Sequence, residues 1–316
     1  MKLAFTSCIC TSVHDVQNVW DQIAAQQPDR LLLLGDSIYI DVPWIGFEHP
    51  RQLLPSAFMQ HLLDRYRELL AQPRFRALVS RVPTDAIWDD HDFLWNESYR
   101  EGATRKTVYR GNIAMTRNFF AAYLAALGDR LAPGSFPTAI EDMRINMADP
   151  PPPGYRHRAL GQGVHLHLTD GRSWRHKKNL LGQAQRDAIA IRMQAAPDDV
   201  HLLASGSVAI GHKGDCWSEF PDDYARLLDV ASRHRVLVLS GDIHANRFDD
   251  EPTTGHMLYE ATSSGAAVGR LVVDSPVLEN FGLLTIDDST VDIRFFQHGA
   301  PDTKVQPQRI GRLAWR

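Results

Sequence analysis

The sequence predicts an α/β protein made of layered mixed sheets, and three observations carry that reading. Apolar runs of strand length recur, "LLLL" at 31–34 and "VLVL" at 236–239, and each feeds a Gly-Asp. Strand-like and helix-like segments alternate through the first part of the chain, while the last part is rich in strands; this is the pattern of α/β layers. The chain has 316 residues, 44% of them apolar, which suffices for one large α/β core. A single domain over 1–316 is expected, with a possible proline-rich internal loop at 148–156.

The elements follow in order. Residues 2–8 read as a first strand and "VQNVWDQIAAQQ", 16–27, as a helix. "DRLLLL" has no polar alternation, so it reads as a strand covered on both faces. Residues 56–72 place apolar side chains at helical spacing. "TDAIWDD" is a short strand ending in acids, and 107–127 is a helix rich in Ala, Phe and Leu. "ADPPPPGYRHR" punctuates the chain as a loop. "GVHLHLTD" alternates like a strand, "LGQAQRDAIAIRMQA" is a helix and "DVHLLASGS" a strand. "DDYARLLDVASRH" is a helix, "RVLVLSGD" a strand, and "GHMLYEATSS", "FGLLTID" and "VDIRFFQ" are three more. No internal repeat of fixed period is present.

Composition narrows the function. A net charge of −4 and a pI near 6.4 give no electrostatic reason for nucleic-acid or anionic-membrane binding. No apolar stretch approaches the ~18 residues that read as a membrane span. "MKLAFTSCICTS" lacks the features of a secretion signal, so a cytoplasmic location is expected. The three cysteines are too few and too odd in number for a disulfide framework. The 14 histidines direct attention to metal or acid–base sites.

Ligand-type side chains cluster where the strands end. "AFTSC" ends in Cys8, "LLLLGDSIY" in Asp36 and Tyr39, "AIWDDHD" in Asp89 to Asp92, and "VLVLSGDIH" in Asp242 and His244. In α/β sheets, ligands bind beyond the carboxyl ends of strands. Carboxylates gathered in such a cleft repel one another, so they call for bound cations, which also keep their ligands deprotonated. Each group has a plainer explanation on its own. Asp36 could cap a helix, Tyr39 could be a core tyrosine, Cys8 a small buried hydrophobe, and "DDHD" a solvated turn. Their joint recurrence at strand ends argues against coincidence.

The segments "FTSC", "GDSIYID", "WDDHDFLWNES", "LTDGRSWR", "LLGQAQ", "CWSEFPDDYARLL", "LSGDIHANRF" and "LYEATSSG" together resemble the PhoD-like (alkaline phosphatase D) metallophosphatases, whose site is related to that of the purple acid phosphatases. The resemblance runs from residue 4 to about 270. It implies a four-layer α/β/β/α (calcineurin-like) sandwich of two mixed sheets. It also implies hydrolysis of phosphoric esters, with a hydroxide generated by two metals attacking phosphorus in line. Under the resemblance, Asp36 bridges the two metals, and Cys8, Tyr39 and His244 belong to Fe(III). Asp90 and Asp242 belong to the second metal, expected to be Ca(II), with Mn, Zn or Mg as alternatives. His91 becomes the acid near the leaving oxygen and Asp92 its orienting partner. Arg172, Arg175 and Asn96 are candidates for substrate binding, the arginines because phosphoryl transfer builds charge that arginines commonly meet.

Three features depart from the family pattern. No export signal or accessory β domain is expected, "FLWNES" replaces a context of small residues, and the tail "QRIGRLAWR" is unfamiliar; it could cover the site or pack on a partner. Monoester and diester substrates both remain open, and Trp44, Phe93 and Trp95 could equally line a pocket for a second ester group or pack in the core. The expected partner is a phosphorylated small molecule or ester; oligomeric state is not specified. The alternative is a non-catalytic protein that binds phospholigands or nucleotides on the same fold, which a missing ligand would favour; a third is a purely structural α/β domain, which metal content would separate from both.

Overall fold

The computed structural model describes residues 1–42, 50–100, 107–143, 154–176, 178–269, 272 and 276–315. Trp44 and residues 148–153 of the expected proline-rich loop lie outside the described residues. The strands are β1 (Lys2–Thr6), β2 (Arg30–Leu34), β3 (Thr84–Ile87), β4 (Arg156–Gly161), β5 (Val164–Leu168), β6 (Val200–Ser205), β7 (Arg235–Ser240), β8 (Asn246–Glu251), β9 (Leu258–Ser263), β10 (Asn280–Ile286), β11 (Thr290–Gln297), β12 (Ala300–Pro301) and β13 (Gln308–Gly311). The helices are α1 (Val19–Ala25), α2 (Pro55–Ala71), α3 (Pro73–Val79), α4 (Asp90–Phe93), α5 (Thr107–Gly128), α6 (Gln183–Ala195) and α7 (Pro221–Arg233).

Two mixed sheets form. The first runs β12-β11-β10-β1-β2-β3, with β13 also pairing β11; the second runs β4-β5-β6-β7-β9-β8. In the first, β1, β2 and β3 are parallel and β10 is antiparallel to β1. In the second, β5, β6, β7 and β9 are parallel, flanked by antiparallel β4 and β8.

The leucine run explains the layering. Alternate side chains of a strand point to opposite faces. Leu32 and Leu34 join Leu3, Phe5 and Ile87 in a core shared with Leu166, Leu202, Leu237 and Leu239 of the second sheet. Leu31 and Leu33 face the other way, onto a core with Ile23, Leu62, Phe75 and Phe119 of α1, α2, α3 and α5. The second sheet repeats this: Leu203, Val236 and Val238 pack on Ile189 and Met193 of α6 and Leu227 and Val230 of α7. Both sheets are therefore covered on both faces, giving the expected α/β/β/α order.

Several elements escape the sequence pattern. β4 ("RHRALG") and β8 ("NRFDDE") are edge strands with half-exposed, polar sequences. Edge strands often carry charge because it discourages pairing with other chains, and that removes the apolar signal. The short α3 begins at Pro73, with Gln72 accepting from Phe75 N. The "DDHD" turn is the helix α4; Asp89 N donates to Asp92 Oδ1 at 2.6 Å, closing its first turn. The tail does not cover the strand-end cluster; it packs at the opposite end, with Leu313 exposed. β13 pairs with β11, Arg312 donates to Asp287 O and Gly163 O, and the wholly buried Trp315 donates to Met257 O beside the Tyr259 ring.

Candidate metal centre

The parallel strands of both sheets deliver their carboxyl ends to one edge of the sandwich. Cys8 follows β1, Asp36 follows β2, Asp89 and Asp90 follow β3, Arg172 follows β5, Asp242 and His244 follow β7, and Ser264 follows β9. The chain turns sharply there. Cys8, Asp36, Asp242 and His244 all take positive φ, at 62°, 50°, 71° and 54°. Few non-glycine residues adopt this conformation, and such strain concentrates at functional sites. Glycines allow the strand ends to close. A Cβ on Gly35 (φ 100°) would lie 2.5 Å from Asp89 Cβ, and one on Gly206 would lie 2.3 Å from Asp89 Oδ1.

Two groups form around Asp36. On one side the Cys8 thiol lies 3.3 Å from Asp36 Oδ2 and 3.1 Å from Ser264 Oγ, and Tyr39 Oη lies 3.2 Å from His244 Nε2. On the other side, Asp36, Asp89, Asp90 and Asp242 each offer an oxygen, all within 4.8 Å of one another, and Asp36, Asp90 and His91 form an overlapping set. Asp89 Oδ2 is buried without a hydrogen-bond partner.

Electrostatics show what these groups lack. Burial, then the neighbouring Cys8 and Asp90, push Asp36 well above the ordinary carboxylate range. Burial, then Asp89 and Asp90, do the same to Asp242. Burial lifts the Cys8 thiol to about 11 and Asp89 to about 6. Asp90 differs: burial raises it, but Arg172 and His91 outweigh that and hold it at about 2. A cation set among the oxygens would return the other carboxylates to their charged form. The donor set fits two different ions. Thiol, phenol and imidazole suit a transition metal such as iron, and the all-oxygen group suits a hard cation.

Other side chains hold this set in place, and three depart from expectation. Asp92 does not orient His91. Its carboxylate accepts from Asp89 N and from Ser37 N (3.0 Å), tying β3 to the turn after β2. The partner of His91 is Asp41, whose Oδ1 lies 2.6 Å from His91 Nδ1. Burial lowers His91, but Asp90 and Asp41 outweigh it and raise it to about 10; its ring stacks on Tyr39 with centroids 4.1 Å apart. Arg172 and Arg175 are not presented to a substrate, because both are buried and engaged by the protein. Arg172 donates to Asp89 (2.6 Å), Asp215 (2.7 Å) and Ser98 O; Arg175 donates to Asp215, Ser207 Oγ (2.7 Å) and Gly171 O. Asn96 is exposed at the rim, with its N–H on Asp41 Oδ2 at 3.0 Å. Phe93 is wholly buried in the helix-side core, so it is not free to line an ester pocket, and the partly buried Trp95 packs against that core.

Sequence reading missed Asp41, Asp215 and Ser264 and assigned Asp89 no role. Two signals were present: Asp41 closes the "GDSIYID" segment, and Asp215 belongs to a further Gly-Asp, "KGDCW".

Sheets packed face to face, helices on both outer faces and a carboxylate cluster at the strand ends describe a layered α/β protein with a candidate metal site. A family model described as PhoD-like phosphatase matches residues 3–282, and the chain belongs to that family. It is thus a metallophosphatase, a phosphoric ester hydrolase by family. No curated protein matches the chain. Among solved structures, wild-type Vps29 with Zn2+ from Entamoeba histolytica is 12% identical, with 99% of each chain covered and a TM-score of 0.37. A Streptococcus pneumoniae protein described as a predicted phosphoesterase is 9% identical (98% of this chain, 97% of that one, TM-score 0.34). The protein TT1561 of Thermus thermophilus is 10% identical (90% and 93%, TM-score 0.40). Scores this low carry no argument about function. Among the described residues, no helix is long and apolar enough to cross a membrane.

Proposed function

We propose that this chain hydrolyses phosphoric mono- or diesters of small molecules at the cluster around Asp36, with Fe(III) and Ca(II) as its metal pair. The observation that carries the reading is the division of donors. Cys8, Tyr39 and His244 lie on one side of Asp36, and Asp89, Asp90 and Asp242 on the other. Among the described residues, Asp36 is the carboxylate placed to serve both sides. A bound metal pair would supply Lewis acidity toward the phosphoryl oxygens and lower the pKa of an attacking water.

The chain's own groups do the rest. Asp41 holds His91 Nδ1, leaving Nε2 to carry a proton to the leaving oxygen. Tyr39 stacked on the imidazole fixes its plane. Arg172 does not touch the substrate in this reading; it positions Asp89 and stands 3.8 Å from Asp90. Asp92 is a positioning residue for the α4 turn and not part of the acid pair.

The test is turnover of p-nitrophenyl phosphate and bis-p-nitrophenyl phosphate at alkaline pH, with and without chelator, beside Asp36→Asn. Chelator-sensitive turnover that disappears in the variant supports the reading, and the ratio of the two rates distinguishes monoesterase from diesterase. Elemental analysis of the purified chain tests the metal pair. Bound metal without turnover of either ester would favour a phospholigand-binding protein instead.

A further inference from the structure

A second set of ligand-type side chains lies on the helix side of the second sheet, away from the strand-end cluster. His157 of β4, His165 and His167 of β5 and His201 of β6 form a ring in which neighbouring imidazoles are 5.2 Å apart, centre to centre. The strand registers place them side by side, His157 opposite His167 and His165 beside His201.

Hydrogen bonds fix the tautomers. A backbone carbonyl only accepts, so His201 Nε2–H donates to Ala196 O at 3.0 Å and its Nδ1 must accept from His167 Nε2 at 3.0 Å. His167 Nδ1 then accepts from the Tyr155 hydroxyl at 2.8 Å. Both of these histidines are fully buried, so the inner pair is sealed. The outer pair follows the same logic but remains partly exposed. Asp199 Oδ2 accepts from His165 Nε2–H at 2.8 Å, so His165 Nδ1 holds a lone pair aimed at His157 Nε2, 3.0 Å away.

We propose that His157 Nε2 and His165 Nδ1 form a binding site for a divalent late first-row metal ion, Cu2+ ahead of Zn2+, separate from the strand-end centre. Two imidazole nitrogens on one tetrahedral ion at ~2.0–2.1 Å stand roughly 3.3 Å apart, so the pair needs a small widening and a turn of both rings that brings their lone pairs together. His165 shows the support typical of a metal-bound histidine, its far N–H held by a carboxylate. On binding, the His157 proton moves from Nε2 to Nδ1 through solvent, both rings remain neutral, and water completes the coordination. Burial and the neighbouring His165 already lower His157, favouring the neutral form that binds metal. The Cu2+ preference follows the general order of divalent affinities. Such an ion would tie the edge strand β4 to β5.

Equilibrium dialysis of the full chain against Zn2+, with elemental analysis, tests this. His157→Gln and His165→Gln should each hold one Zn2+ fewer than wild type, while Asp36→Asn keeps this equivalent. Asp199→Asn retains both imidazoles and should bind that ion ~10–100-fold more weakly. With Cu2+, electron paramagnetic resonance should show a nitrogen-coupled signal, additional to any from the strand-end centre, that His165→Gln removes. Equal Zn2+ content in wild type and both histidine variants, or identical nitrogen coupling in wild type and His165→Gln, would overturn the proposal. Neither outcome depends on whether the Asp36 cluster is catalytic.

Discussion

The two ends of the sandwich are built on opposite principles. At the strand-end cluster, four non-glycine residues take left-handed backbone and several carboxylates are buried at close range. At the other end, the C-terminal tail closes the gap between the sheets. Trp315 fills it, and Arg312 satisfies the carbonyls of Asp287 and Gly163. β9 joins the two ends: Met257 and Tyr259 near its start meet Trp315, and Ser264 after its last residue meets Cys8. The first end is unfavourable until a cation arrives; the second is complete as it stands. Buried like charge therefore collects where chemistry is proposed, and apolar closure holds the rest.

Substitutions should break this contrast unequally. The largest effect is expected at Asp36→Asn, which removes the carboxylate shared by both donor groups. Turnover should fall ~10⁴-fold, or about 5.5 kcal/mol of barrier, with loss of bound metal by elemental analysis. Arg172→Ala should follow. It leaves the buried Asp89 unpaired beside an empty space, while the half-buried Asp215 keeps Arg175; breaking a buried pair costs ~3–5 kcal/mol, to be read as a lower denaturation midpoint in urea. Trp315→Ala should cost about 3 kcal/mol of stability through the cavity it leaves, while kcat measured below the new melting range stays at the wild-type value. If it lowers kcat as much as stability, the two ends are coupled and the contrast fails. Asp41→Asn should cut turnover ~10²-fold with KM little changed, because it disturbs the proton delivered by His91 and not the binding of phosphate.

The smallest effect near neutral pH lies outside both ends. Burial lowers His167 to about 2 and His201 to about 4. Between the ordinary histidine value of 6.5 and those folded values, the unfolded chain binds more protons than the folded one. Stability should thus be full above 6.5 and decline as pH falls toward 4. A double variant, His167→Gln with His201→Gln, should flatten that decline in thermal melts across the range.

Legibility in the sequence follows burial and range. Strands covered on both faces announce themselves, because nothing polar interrupts them; "LLLL" and "VLVL" are of this kind. β4 and β8 do not, since an edge strand needs polar residues against solvent. At the site, Cys8, Asp36, Tyr39, Asp90, Asp242 and His244 could be singled out because each sits at the end of a recognisable strand. Their pairings could not be read. Asp92 stands next to His91 in sequence but bonds to backbone amides, whereas Asp41, 50 residues away, holds the imidazole. Arg172 and Arg175 look like surface arginines in "DGRSWR" and are among the most buried charges in the molecule.

Local pattern along the chain was enough to establish α/β layering on mixed sheets, the run of the main strands and the types of donor at their ends, because these depend on apolar period and on which residue follows a strand; the four-layer order came with the family resemblance. Packing in three dimensions was needed to settle which carboxylate faces which imidazole, that the two arginines are enclosed, and that the tail closes the far end. Those outcomes depend on two sheets meeting across a shared core, and no local stretch of chain records the distance between them.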